Sequence, residues 1–201
     1  MRKNPFLVAL SISSIIGILV ACNDKAQVQS ISTKEPRYGG YESPEIWGEH
    51  LVTISACHDC HSPKKMTPNG PDIDSSRMLS GHPANDPDLA VDRKDLESKG
   101  LTATGSLTSW VGPWGISYTA NLTSDPTGIG NWDEGRFIYA IRHGKLKGSP
   151  GARSLLPPMP WQMYRNMTDD ELKAIFAYLK TTKPIRNIVP EPKPPVTAQQ
   201  H

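Results

Sequence analysis

The sequence predicts an all-α domain in which three or more helices are joined by long loops. Three segments combine a capping side chain with helically spaced apolar residues, and they begin near Ser43, Asn131 and Thr168. Nineteen prolines and sixteen glycines among 201 residues favour extensive loops between them. Because only 37% of the residues are hydrophobic, a further apolar centre is expected to organise those loops.

The pentad Cys57-His58-Asp59-Cys60-His61 can provide that centre. Two cysteines separated by two residues and followed directly by a histidine match the attachment pattern of a c-type haem. The two thiols can add to the two vinyl groups of one porphyrin, and His61 is then carried beneath the ring, where its imidazole can ligate iron. A zinc half-site would need a second pair of ligands at short spacing, and a redox dithiol would need a βαβ context. Neither is present in the sequence, so the motif predicts one covalently attached haem c.

Residues 1–21 are typical of an export signal. Two basic residues precede an apolar stretch, Phe6 to Val20, which is too short for a permanent membrane span. The stretch ends in Leu19-Val20-Ala21-Cys22, which resembles the lipobox of bacterial lipoproteins and makes Cys22 the predicted lipid-modified residue. An ordinary secretory signal with a coincidental cysteine and a single membrane anchor are the alternatives.

The cysteine assignments agree on one compartment. Lipid on Cys22 and haem on Cys57 and Cys60 use all three cysteines, so no disulfide is predicted. Because thioether attachment of haem in bacteria takes place outside the cytoplasm, we expect a protein of the cell envelope, lipid-anchored and facing the periplasm, on the inner or the outer membrane. Cleavage before Cys22 would lower the formal charge from +2 to 0, which gives no reason to expect a nucleic-acid partner.

The mature chain divides into a flexible tether over residues 22–42, a haem domain over 43–184 and a Pro-rich extended tail over 185–201. The domain begins with Ser43 as the predicted N-cap and Pro44 as the first helical residue. The apolar stripe of this first helix is predicted to be Ile46, Trp47, His50, Leu51 and Ile54. The helix leads directly into the haem motif.

Residues 62–130 show no long periodic segment and are predicted to wrap around the edges of the haem. A short helical turn is expected near 92–98. A proline carbonyl of this loop is expected to accept the hydrogen bond from Nδ1–H of His61, and Pro68 and Pro71 are both candidates. The aromatic patch around Trp114 and Tyr118 is interpreted either as a small hydrophobic cluster or as one wall of the porphyrin site.

Two further helices follow the long loop. One is predicted to begin at Asn131 as N-cap, with Phe137, Ile138 and Ile141 as its buried stripe and Gly144 at its end. Arg142 near its end is a candidate partner for a haem propionate, although such a residue is more commonly solvated. The last helix has a capping box at Thr168 and a buried stripe of Leu172, Ile175, Phe176 and Leu179, and is expected to end near Lys180.

Met159 lies between these two helices in the sequence Leu155-Leu156-Pro157-Pro158-Met159-Pro160-Trp161. Methionine usually fills gaps in a core as a flexible side chain. Prolines on both sides stiffen the backbone here, which suits a thioether that has to point at a metal.

Taken together, these residues resemble the class I cytochrome c domain and, more narrowly, the haem c subunits that accompany bacterial dehydrogenases and oxidases. The resemblance covers about residues 44–184 and is carried by the haem motif, the Met159 loop and the stretches Leu79–Pro83 and Asn121–Trp132. It implies a cytochrome c fold with His61 as the proximal and Met159 as the distal iron ligand. The rival distal ligands, each more readily explained by packing or exposure, are Met66, Met78, Met163, Met167, His82 and His143.

The resemblance implies an electron-transfer protein rather than an enzyme. Larger subunits of this kind often have two or three haem motifs, whereas this chain has one. With both axial positions filled, iron cycles between Fe(II) and Fe(III), and no small-molecule substrate coordinates. The expected partners are redox proteins such as a dehydrogenase or a terminal oxidase. The alternatives are an electron-accepting haem subunit within a dehydrogenase complex and a five-coordinate haem that senses a gas.

Overall fold

A computed structural model describes residues 37–196 of the chain. The helices in this part are α1 (Pro44–Ile54), α2 (Cys57–His61), α3 (Arg93–Ser98), α4 (Glu134–His143), α5 (Trp161–Tyr164) and α6 (Asp169–Thr181). The strands are β1 (Lys64–Thr67), β2 (Gly70–Ile73), β3 (Ser109–Gly112) and β4 (Gly115–Tyr118). The predicted export signal and Cys22 lie outside the described residues, as does most of the predicted tether. A search of residues 37–196 for a helix with the length and apolarity to cross a membrane found none.

The core forms where α1 crosses α6. A Cβ atom added at Gly48 of α1 would lie 1.9 Å from the carbonyl oxygen of Ala174 in α6, so only glycine allows the two backbones to approach this closely. One apolar cluster surrounds the crossing, and its buried members are Leu51, Val52, Leu79, Ile129, Phe137, Leu172, Ala174, Ile175, Phe176 and Leu179. The cluster packs α1 against α6. Because α1 leads into the haem motif, this packing also fixes where the motif begins.

The buried face of α1 differs from the prediction. The helix buries Gly48, Leu51 and Val52, whereas Ile46 is 44% exposed and Ile54 is 63% exposed. The reason is the close contact between Gly48 and α6, which places the glycine side of α1 against the core. Glycine does not count as an apolar residue in the periodicity, so the sequence did not predict this face. The stripe predicted for α6 is correct at all four positions.

The helix ends follow local capping rules. Ser43 Oγ accepts a hydrogen bond from the Ile46 amide at 3.3 Å, and Thr168 forms the predicted capping box with Glu171. The prediction for α4 was wrong by two residues, because Asp133 rather than Asn131 is its N-cap and accepts from the Arg136 amide at 2.7 Å. Gly144 ends α4 in the left-handed conformation as predicted.

The long loop contains two antiparallel hairpins that the sequence did not predict. Strand β1 pairs with β2, and β3 pairs with β4. Each strand has only four residues, which is too short to show the alternation of apolar and polar residues by which a strand is recognised in a sequence. The predicted helical turn is confirmed as α3, which Asp92 caps through the Asp95 amide.

The tail is extended along the domain as far as residue 196. Ile116 of β4 and Lys193 exchange both backbone hydrogen bonds, at 2.8 and 3.0 Å. The Asn187 amide group donates to the carbonyls of Ser80 and His82 at 2.7 and 2.9 Å. These contacts make the described part of the tail a structural element, since it braces both β4 and the segment beside the haem motif.

Candidate functional site

Helix α2 consists of the predicted haem motif and nothing else. Ala56, which precedes it, has φ +55° and separates it from α1. Cys57 and Cys60 lie one turn apart, both are free thiols, and both are partly exposed. Burial raises the pKa of Cys57 to about 11, so this thiol stays protonated at neutral pH. The arrangement leaves both sulfur atoms available for thioether bonds.

The ring of His61 is buried, and its hydrogen bonding identifies the nitrogen that can bind a metal. Nδ1 lies 2.8 Å from the carbonyl oxygen of Ala120. A carbonyl only accepts, so Nδ1 carries the proton and Nε2 keeps a lone pair. Burial also lowers the pKa of His61, which favours this neutral form. Within residues 37–196, Nε2 has no hydrogen-bond partner, as expected of a histidine that ligates a metal.

The prediction that a proline carbonyl orients His61 was wrong. Pro68 lies in the turn between β1 and β2, and Pro71 lies in β2 opposite Met66. Both prolines are exposed. The acceptor is instead the carbonyl of Ala120, just beyond β4 and 59 residues from His61. Neither Pro68 nor Pro71 of the hairpin formed by β1 and β2 therefore supplies the acceptor for His61 Nδ1.

The segment Leu79–His82 supports the far end of α2. The Gly81 amide donates to the His61 carbonyl at 2.8 Å, and the Leu79 amide donates to Ser62 Oγ at 3.0 Å. Gly81 has φ +76°, and an added Cβ would lie 2.5 Å from the Thr119 carbonyl oxygen. Gly81 is thus enclosed between the backbone of the haem motif and the backbone that ends at Ala120.

A lysine neutralises the carbonyl end of α2. Lys64 Nζ donates to the carbonyls of Asp59 and Ser62, each at 2.7 Å. A cation is favourable at a helix C-terminus, where unpaired carbonyls carry partial negative charge. Burial lowers the pKa of Lys64, and the nearby Asp59 acts in the opposite direction. Lys64 therefore holds the last turn of the motif, which contains His61.

The chain just after Met159 returns to the cysteines. Tyr164 in α5 donates from its hydroxyl to the Ser55 carbonyl at 2.7 Å, immediately before the motif. Burial, and then the thiols of Cys57 and Cys60, raise the pKa of Tyr164 to about 12. Because Tyr164 is five residues from Met159, this contact brings the methionine loop to the haem motif.

The Met159 loop borders an open groove of about 390 Å³, lined by Ser154, Leu155, Pro157, Pro158, Met159, Pro160, Trp161 and Gln162. The Met159 side chain is half-buried. The loop is joined to the second hairpin by Ser117 Oγ, which donates to the Pro157 carbonyl at 2.6 Å. Strand β4 and its continuation thus contact the Met159 loop through Ser117 and the His61 ring through Ala120.

The other predicted haem contacts lie in different surroundings. Trp114 lies beside this connection, because its indole Nε1 donates to Ser117 Oγ at 3.1 Å. Tyr118 is on the opposite face of β4 from Ser117, with its ring 4.9 Å from that of His82. Arg142 Nη2 pairs with Asp169 at 2.6 Å, so it joins α4 to α6 and has a protein carboxylate as its partner. Trp114 is thus linked to the Met159 loop indirectly, through Ser117, whereas Tyr118 donates to Asp88 and Arg142 to Asp169.

Most of the rival distal ligands are engaged elsewhere or exposed. His82 is the exception: its Nδ1 lies 3.0 Å from Thr108 Oγ1, but within residues 37–196 its buried Nε2 has no hydrogen-bond partner. His143 packs on Tyr139 with ring centroids 4.3 Å apart. Met66, Met78 and Met163 are 81%, 38% and 67% exposed. Met167 packs against the core cluster.

The donor set fits haem c. Two free thiols lie one helical turn apart, and a neutral imidazole has an Nε2 without a partner within residues 37–196. A thioether lies in a proline-flanked loop that is linked to β4 through Ser117. Within residues 37–196, no group of three or more His, Cys, Asp or Glu side chains is placed to hold a metal ion.

No protein-family model matches the chain. It is 39% identical over 79 residues to a subunit of the nicotinate dehydrogenase of Pseudomonas putida, a match covering 39% of this chain and 6% of that protein. It is 40% identical over 83 residues to the fructose dehydrogenase cytochrome subunit of Gluconobacter japonicus, covering 40% of the chain and 16% of the relative. It is 34% identical over 87 residues to the cytochrome c subunit of a quinone alcohol dehydrogenase from Gluconacetobacter polyoxogenes, covering 42% and 18%.

The matched segments span less than a fifth of each of these relatives. Two of the three carry names of cytochrome subunits of bacterial dehydrogenases. This similarity supports a haem c cytochrome domain in the chain.

Sequence reasoning missed the residues that support the predicted ligands. Ala120 acts through its carbonyl, which every residue has, so no side-chain signal could have identified it. Ser117 and Lys64 are common residue types outside any motif. Gly81 carries the one side-chain signal among these residues, because glycine is the residue that tolerates both positive φ and close backbone contact.

Proposed function

We propose that this chain is a monohaem c-type cytochrome with the cytochrome c fold, which transfers single electrons. Cys57 and Cys60 would hold the haem through thioether bonds, and His61 and Met159 would be the axial ligands of its iron. The observation that carries the proposal is the hydrogen bond from His61 Nδ1 to the Ala120 carbonyl, because it leaves Nε2 as the metal-binding atom of a motif suited to haem attachment.

A bound haem c would supply one iron that alternates between Fe(II) and Fe(III) at a site with both axial positions filled. Cys57 and Cys60 would hold the group by thioether bonds, each formed by addition of the thiol S–H across one vinyl group, with sulfur on one vinyl carbon and hydrogen on the other. The Met159 thioether, a soft ligand, favours the reduced state relative to a second histidine. The covalent bonds and the stiff loop hold the ligands still, which lowers the structural change that accompanies each electron.

The comparisons favour a dehydrogenase as electron donor. Relatives named as cytochrome subunits of fructose and alcohol dehydrogenases match this chain over 83 and 87 residues. We therefore infer that this chain accepts electrons from a dehydrogenase, either as a subunit of its complex or as a separate carrier. Co-purification with a catalytic subunit in mild detergent would identify the first arrangement, and isolation as a single chain that the dehydrogenase still reduces would identify the second.

The lipid anchor belongs to the same proposal. Cys22 at the end of the lipobox-like sequence would hold the domain at a bacterial membrane facing the periplasm, close to membrane-bound donors and oxidases. Mass spectrometry of the mature N-terminus tests the anchor directly. A lipid-modified Cys22 is the expected result, and an unmodified N-terminus at another residue would refute it.

The axial ligands are tested by absorption spectroscopy of the ferric, haem-loaded protein. We expect a weak methionine-to-iron charge-transfer band that is lost in Met159→Ala and retained in Met163→Ala, whose side chain is 67% exposed. An unchanged spectrum in Met159→Ala would refute the assignment of this ligand. A five-coordinate spectrum of the unmodified protein, together with tight binding of carbon monoxide, would support the gas-sensor alternative instead.

A further inference from the structure

We propose that Ser117 is a positioning residue for Met159 and acts through the carbonyl of Pro157. The inference rests on the proposed function, since it concerns the residue assigned there as the distal ligand. It adds a residue outside the haem motif and the methionine loop that determines how firmly the thioether is presented to iron.

The direction of the hydrogen bonds around Ser117 follows from the chemistry of its partners. The Trp114 indole Nε1 can only donate, and it lies 3.1 Å from Ser117 Oγ. The Pro157 carbonyl can only accept, and it lies 2.6 Å from the same oxygen. The hydroxyl therefore accepts from Trp114 and donates to Pro157. This fixed direction prevents the hydroxyl from rotating away from the methionine loop.

Ser117 is a rigid point of attachment. Its residue is only 6% exposed, and it lies in β4 opposite Trp110 of β3. The neighbouring Ile116 exchanges two backbone hydrogen bonds with Lys193 of the tail, so β4 is paired on both of its edges. Met159 is two residues beyond Pro157 in a proline-rich loop with little backbone freedom. A constraint on the Pro157 carbonyl is therefore transmitted to Met159.

The same short stretch holds the opposite ligand. Three residues after Ser117, the Ala120 carbonyl accepts the hydrogen bond from His61 Nδ1 at 2.8 Å. Residues 117–120 thus include the hydrogen-bond partner of the His61 ring and the hydrogen-bond partner of the Met159 loop. We infer that this stretch sets the separation between His61 and Met159, and that removal of the Ser117 hydroxyl weakens only the methionine side.

The test is competition for iron by imidazole in the haem-loaded, ferric, full-length protein. Imidazole has to displace Met159 in order to bind, so a loosened methionine makes imidazole bind more tightly. We expect about a fivefold lower apparent Kd for imidazole in Ser117→Ala, the change in an equilibrium constant that the loss of one hydrogen bond between neutral groups produces. Trp114→Phe keeps the Ser117 hydroxyl but removes the indole N–H that donates to it. This variant should also lower the imidazole Kd, by a smaller factor.

The matched control is Ser109→Ala. Ser109 is also buried in this hairpin, at 5% exposure, and within residues 37–196 its hydroxyl makes no hydrogen bond. Ser109→Ala should leave the imidazole Kd unchanged even if the midpoint of thermal unfolding falls. An equal change of Kd in Ser109→Ala and Ser117→Ala would overturn the inference, because it would show that general loosening of the hairpin is responsible.

Failure of the inference can be distinguished from failure of the proposed function. If Met159→Ala removes the charge-transfer band and Ser117→Ala and Trp114→Phe bind imidazole as the unmodified protein does, the positioning role is wrong and the ligand assignment stands. If Met159→Ala leaves the spectrum unchanged, the ligand assignment is wrong and the positioning role fails with it.

Discussion

Gly81→Ala should be among the most damaging small substitutions in this protein. Gly81 donates its amide to the His61 carbonyl at 2.8 Å and has φ +76°. An added Cβ would lie 2.5 Å from the Thr119 carbonyl oxygen and 2.6 Å from the Ala120 carbonyl carbon. Both contacts are to backbone, so no side chain can rotate to relieve them.

The expected cost has two parts. A residue with a Cβ in the left-handed conformation costs about 1–2 kcal/mol. Forcing a methyl group into a closely packed space adds about 1–3 kcal/mol. The free energy of unfolding of Gly81→Ala should therefore fall by about 2–5 kcal/mol. Because the clash pushes on the residue whose carbonyl orients His61, the visible spectrum should change in the folded protein as well.

The assay is urea unfolding of the haem-loaded protein, with Gly100→Ala as the matched control. Gly100 has φ +67°, and an added Cβ there would have no atom within 4 Å. Gly100→Ala therefore loses only the free energy that the left-handed backbone costs a residue with a Cβ. The difference in unfolding free energy between Gly81→Ala and Gly100→Ala measures the cost of the clash. If Gly81→Ala is no less stable than Gly100→Ala and its spectrum is unchanged, the close approach of these backbones is not as the structure has it.

Two further predictions concern the contacts around this segment. Asn187→Ala removes three side-chain hydrogen bonds to backbone groups of residues 80–84, so the free energy of unfolding should fall by about 2–4 kcal/mol. Asn166→Ala, which removes two exposed local bonds, should cost well under half as much. Burial lowers the pKa of His82 despite two nearby aspartates, so the unfolded state binds the extra proton, and stability should decline as pH falls below about 6.5.

Each of these is checked by one comparison. Equal losses in Asn187→Ala and Asn166→Ala would mean that the tail contributes nothing to holding the segment beside the haem motif. For the pH effect, His82→Asn keeps a polar side chain near Thr108 that cannot be protonated. The unfolding free energy of this variant should therefore vary less between pH 7 and pH 5 than that of the unmodified protein. Identical pH profiles for His82→Asn and the unmodified protein would assign the dependence to other groups.

Features that depend on neighbouring residues were predictable from the sequence. The caps at Ser43 and Thr168 and the stripe of α6 were correct, because a capping side chain and the helical period act over three or four residues. The haem motif was recognisable for the same reason, since both thiols and the imidazole lie within one short helix. The N-cap of α4 was misplaced because Asn131 and Asp133 have equally suitable side chains, and only the path of the chain chooses between them.

By itself, then, the sequence determined the candidate haem- and iron-binding atoms of this protein, because the chemistry of Cys57, Cys60, His61 and Met159 belongs to their side chains. The tertiary structure alone decided what holds those atoms in place. His61 is oriented by a backbone carbonyl 59 residues away, and the Met159 loop is held by a serine 40 residues before Pro157. A carbonyl that accepts a hydrogen bond has no sequence signature, and neither does a serine in a four-residue strand. Only the folded chain, with β4 paired between β3 and the tail, brings both supports into one stretch.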